Sequence, residues 1–143
     1  MFTNQLPEDI GFFTVIFTDF ADRHFRKGFR KKHKKSKVWT LTEMSIVLDL
    51  ERIASDLQRT QQVDQLWHRN NNWIFKYDFT EAKSNKSPKS SGNRCVCYLD
   101  GDSRQIQILL IYAKNDLPKN MGEQQYIESI LKSEFNEFLC RCR

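Results

Sequence analysis

Glycine and proline are scarce, five and three in 143 residues, which sets aside collagen-like and disordered classes. No apolar run approaches the roughly 20 residues of a membrane-spanning helix. The longest, Ile106 to Ala113, is strand-sized and broken by Gln107. Met1 to Gly11 has neither a basic n-region nor an apolar h-region, so a protein without a signal peptide, in the cytoplasm, is expected. No glycine-rich loop is placed to cradle a nucleotide, and no spacing of Ser, His, Cys and carboxylates suggests a catalytic triad or metal centre. The four cysteines form two C-x-C pairs, Cys95/Cys97 and Cys140/Cys142. Structural zinc sites usually separate such ligands by two to four residues. Cys95 and Cys97 read instead as small apolar residues on one face of a strand, and Cys140 and Cys142 as the end of a tail. No metal and no cofactor is expected.

Large apolar side chains and positive charge are what the sequence does have. Eleven Phe and three Trp supply area for one real core, and the length suits a single domain over 1–143. Net charge is +5, and it is segregated. Arg23 to Lys37 holds nine Lys or Arg and no acid, and Ala82 to Leu99 holds four more, again with no acid. Two acid-free clusters point to a polyanion as partner. Within them Arg30, Lys31 and Lys34, and the loop lysines Lys83, Lys86 and Lys89, are the candidate contacts to such a polyanion. The competing reading is solvated charge.

Periodicity supplies the elements. Phe12 to Phe17 reads as a first strand. Phe25 and Phe29 then mark a short helix with a cationic outer side. Thr40-Leu41-Thr42-Glu43 matches a capping box, and helical spacing continues from Met44 to Leu57. Asn70 to Asn72 marks a turn. Trp73 to Phe79 alternates as a half-exposed strand, with Trp73, Phe75, Tyr77 and Phe79 on one side. Arg94 to Leu99 and Ile106 to Ala113 pair across the Asp100-Gly101-Asp102 turn. Tyr126 to Leu139 keeps helical spacing. The order β-α-α-β-β-β-α implies an α+β fold: a small antiparallel sheet, an N-terminal helical hairpin and a C-terminal helix, with helices on one sheet face.

The stretch Gly92-Asn93-Arg94-Cys95-Val96-Cys97-Tyr98-Leu99, a turn, then Ile108-Leu109-Leu110-Ile111-Tyr112-Ala113-Lys114-Asn115-Asp116 resembles the RelE/HigB/ParE toxin superfamily. So do the preceding Phe75-Lys76-Tyr77-Asp78-Phe79 with its Lys/Ser loop, and the helix pair behind a first strand. The specific motifs occupy about residues 73–116. The resemblance implies a toxin of a toxin–antitoxin system: a ribosome-associated, metal-independent endoribonuclease (an mRNA interferase) acting on mRNA and neutralised by a cognate antitoxin. For the ParE branch it implies a non-catalytic inhibitor. By the same resemblance Arg94, Lys114 and, less directly, Lys76 are the candidate catalytic residues. The chain departs from the pattern in its long loop after Phe79, its cysteines at 95 and 97, and the lack of a second basic residue just after Lys114.

Metal-free cleavage has the ribose 2′-OH attack its own phosphate. The 2′-OH proton must be taken, charge on the phosphorane stabilised and the leaving oxygen protonated. Arg94 suits the second task, because guanidinium forks onto phosphate and stays charged. Lys76 and Lys114 are expected beside it, crowded enough that one serves as a base. The alternative is that both are plain edge positions. The histidines sit elsewhere: His24 and His33 in the cationic segment, His68 before the turn.

Overall fold

The computed structural model describes residues 13–32, 37–52 and 62–143. The expected contacts Lys34 and His33, and the stretch from Ile53 to Leu57, lie outside the described residues. Strand β1 is Thr14–Phe17. A helical run follows: α1, Asp19–Ala21, a π turn, Asp22–Arg26, and α2, Lys27–Lys32. Thr18 accepts from the Ala21 amide and so opens this run. Helix α3 is Val38–Glu51, β2 Val63–Arg69 and β3 Asn72–Phe79. A short helix α4, Pro88–Ser91, precedes β4, Asn93–Asp100, and β5, Gln105–Ala113. A 3-10 turn, Lys114–Asp116, leads to α5, Glu123–Glu134, and α6, Asn136–Cys142.

The fold is α+β, but the sheet is mixed, with five strands in the order β1-β5-β4-β3-β2. The chain leaves β1, enters the far edge at β2, and meanders back until β5 lies parallel to β1. An all-antiparallel sheet is therefore corrected. The sequence does not signal the added strand β2 by period, because its alternation breaks. A register shift falls between Gln65 and Trp67, so Leu66 and Trp67 pack with one core and Val63 with the other. The signal that could have found it is the Asn70-Asn71 turn between aromatic runs. Asn70 takes φ 54°, a left-handed conformation asparagine tolerates. Beside the turn, His68 stacks on Trp73 with ring centres 4.5 Å apart.

Helices cover both faces of the sheet. Phe29, Trp39, Ile46 and Leu50 pack with Phe75, Tyr77, Cys95 and Leu99 on one side. Ile127, Leu131 and Leu139 pack with Ile74, Val96, Tyr98 and Leu110 on the other. The supposed outer side of β3 is thus buried except for a partly open Lys76. Cys95 and Cys97 are fully buried and free, and burial pushes both thiols up. Cys142 packs into the second core rather than ending a loose tail. The capping box does not form: α3 starts at Val38, where Lys37 gives no side-chain cap. Glu43 instead pairs with Arg26 and Arg30.

Candidate nucleic-acid interface

One irregularity decides which side chains meet. In β4–β5, Val96 opposes Leu110 while Cys97 opposes Ile108, which leaves Leu109 as the extra residue of a bulge. Strand side chains alternate faces, and one added residue reverses the phase. Ile106 and Ile108 therefore face the first core, whereas Leu110 and Tyr112 face the second. Tyr112 thereby joins a cross-strand row with Arg94 and Asp78. Lys76 lies two residues along β3 on the same side.

Arg94 is 5% exposed and Asp78 also 5%. Arg94 Nε lies 3.0 Å from Asp78 Oδ1, a charge contact not aligned as a hydrogen bond, since that oxygen has no hydrogen-bond donor. Its terminal nitrogens donate to the carbonyls of Pro88 (3.3 Å), Asn93 (2.9 Å) and Lys89 (3.0 Å). Three of the five guanidinium N–H groups thus donate within the protein, and a fourth faces the Asp78 carboxylate without hydrogen-bond alignment. Arg94 as an exposed phosphate fork is corrected: it holds α4 and the start of β4 together. Gly92 supports that anchor with φ 79°, and its carbonyl accepts from the Lys114 amide (2.8 Å). Burial raises the Asp78 pKa above the usual carboxylate range, although Arg94 and Lys76 pull the other way.

Lys76 Nζ is 3.3 Å from Glu123 Oε1, and the Tyr112 hydroxyl donates to Glu123 Oε2 at 2.6 Å. Glu123 opens α5, where the helix dipole favours negative charge. Burial alone would raise its pKa, but Tyr112, Lys76 and Lys114 outweigh it and hold it below 4.5. Burial, and then the Glu123 contact, push the Tyr112 phenol up. Lys114 is exposed at the rim, with no ion pair among the described residues. The three expected cations thus gather at one end of the sheet, interleaved with Asp78 and Glu123. Sequence reasoning missed Glu123 and Tyr112, for which spacing gave no signal across the bulge.

This cluster sets a pH-dependent prediction. A carboxylate whose folded pKa lies below its unfolded one stabilises above the unfolded value and loses that contribution as pH falls. Glu123→Gln should cost about 1–3 kcal/mol at neutral pH. Urea melts at several pH values should show the gap to wild type closing as pH drops through and below the ordinary glutamate range. A gap independent of pH would contradict the assigned contacts.

The loop lysines Lys83, Lys86 and Lys89 are all exposed, as are Arg30 and Lys31 on α2. One contact brings the two basic segments together, and a second ties the loop to α3. Lys32 Nζ lies 3.7 Å from Glu81, and the Ala82 amide donates to Thr42 Oγ1 at 2.7 Å. Cations more than 50 residues apart in the chain therefore share one surface. Among the described residues no three His, Cys, Asp or Glu side chains lie together as a metal site. No described helix is long and apolar enough to cross a membrane.

No family model, curated protein or solved structure matches this chain. The reading of the interface rests on its geometry.

Proposed function

We propose that the protein is a RelE/HigB-like toxin that acts by binding RNA, without cutting it at Arg94. The observation that carries this is the Lys32–Glu81 junction, which gathers both acid-poor segments onto one face. Such a face grips phosphate by releasing counterions. A helical segment after the first strand, a strand meander and a terminal helix fit the order expected of that family, with one strand more. The closed contacts of Arg94 favour binding over cleavage. A buried arginine already paired with a carboxylate and three carbonyls has little charge left to offer a phosphorane.

A second reading is the metal-independent mRNA interferase with its roles reassigned. It draws on Lys76, Glu123 and Tyr112, joined at 3.3 and 2.6 Å beside exposed Lys114. There a carboxylate, a phenol and two amines are close enough for acid–base work. Induced expression in a growing bacterium, with RNA 5′ ends mapped by primer extension, separates the two. Binding alone gives growth inhibition and RNA retention on a filter, but no new 5′ ends. New ends that vanish with folded Lys76→Met would replace it with the nuclease reading. Growth inhibition with no RNA retained would favour the ParE-like protein inhibitor. A short adjacent gene whose product binds the chain and restores growth is the antitoxin expected of the pair.

A further inference from the structure

Between the helical run and the open end of β5 lie two hollows of about 310 Å³ each. They share Lys32, Ala113 and Asp116 as common wall. One half is the less polar of the two, walled by Phe25 and Phe29 on one side and Leu117 and Tyr126 on the other. Its opening is made by Gly28, where an added Cβ would meet nothing within 4 Å. The π turn Asp22–Arg26 brings His24 to the same wall. The other half is polar, with Lys86, Ser84, Asn115 and Thr80 on its walls. Thr80 Oγ1 has no solvent access and no hydrogen-bond partner among the described residues.

We propose that this double cleft holds one unstacked nucleotide of single-stranded RNA, its base in the less polar half and its phosphate on Lys32 and Lys86. The inference rests on the RNA-binding reading and names the subsite within it. The combined size is that of a small-ligand pocket. A flat aromatic base suits the Phe- and Tyr-lined half, because stacking on aromatic walls is how single strands are held without strict sequence demands. The phosphate suits the half with two lysine amines. Two carboxylates, Glu81 and Asp116, line that half as well; Glu81 pairs with Lys32 at 3.7 Å, which leaves Lys86 as the amine without an ion pair among the described residues. Asp116 lines both halves, so it faces the sugar between base and phosphate, where its carboxylate accepts from a ribose 2′-OH. That contact separates RNA from DNA.

The test uses the full chain and a single-stranded RNA hexamer carrying one 2-aminopurine, with its DNA counterpart. Wild type should bind the RNA hexamer more tightly than the DNA one, with a change in 2-aminopurine fluorescence. Gly28→Leu fills the less polar half in a helix, where leucine is the better helix former, and should weaken RNA binding about tenfold or more by displacing the stacked base. Asp116→Asn should shrink the RNA preference over DNA. Exposed Lys86→Ala should lower the log–log salt slope by about 0.7, one single-strand phosphate contact. If Gly28→Leu melts like wild type and binds the RNA hexamer equally well, the subsite is refuted while RNA binding stands. If Gly28→Leu melts lower, an unchanged salt slope in Lys86→Ala refutes the subsite instead. If wild type binds neither hexamer at low salt, the RNA-binding reading falls and takes the subsite with it.

Discussion

Arg94→Ala is expected to lower the unfolding free energy by about 3–5 kcal/mol at neutral pH, the usual cost of stranding one member of a buried ion pair. For a domain of this size that is roughly 6–20 °C in melting temperature. The loss has two sources. Asp78 is left without its cationic partner in a site only 5% exposed, and the carbonyls of Pro88, Asn93 and Lys89 lose their donor. The sign of its pH dependence follows from Asp78, whose pKa burial already raises. Without Arg94 that pKa rises further. A carboxyl with a raised folded pKa destabilises most when ionised, so the deficit is full above that folded pKa. It is relieved as pH falls towards the unfolded value of about 4. A double variant, Arg94→Met with Asp78→Leu, should recover most of the loss, since hydrophobic replacement of a buried pair is often neutral. Urea melts at neutral and mildly acidic pH check all three. A melt of Arg94→Ala close to wild type would mean that Arg94 is free to serve a ligand after all. The same result bears on activity: any function lost in Arg94→Ala has to be read beside its folded fraction.

Replacing Lys83, Lys86, Lys89 and Lys114 together by alanine should lower the salt slope of RNA binding by about three units, at about 0.7 per single-strand phosphate contact. The affinity ratio of wild type to variant should then shrink about 50-fold between 50 and 200 mM salt. All four are exposed and make no ion pair among the described residues, so folding should be untouched and the melting curve serves as the control. Arg30 is a weaker probe because Glu43 lies 3.7 Å from it. Filter retention across a salt series gives the slope. An unchanged slope would mean that these lysines are solvated charge, the competing reading of the same sequence.

Much of the fold was legible. Alternation placed Trp73, Phe75, Tyr77 and Phe79 on one core face, and they lie there. The α+β class, the paired Cys95 and Cys97 facing one way, and the terminal helical region also follow from spacing. Strand β2 escaped because its own bulge breaks the period by which strands are recognised. The burial of the second face of β3 escaped because Lys76 and Asp78 look like solvent positions when no partner is in view. Both are held by residues elsewhere in the chain, Glu123 and Arg94. The expected catalytic trio shows the same limit. Sequence order suggested that 76, 94 and 114 gather, and they do share one end of the sheet. It could not show that acids gather with them.

By itself the sequence determined most of the helices and strands and where positive charge is concentrated, because both depend on neighbours within a turn or two. Only the tertiary structure decided which charges remain free. The bulge at Leu109 reverses the facing of Tyr112, the crossover lays β5 along β1, and the buried Asp78 claims Arg94. Each outcome depends on pairing between distant strands, and pairing sets whether a charge meets water or an opposite charge.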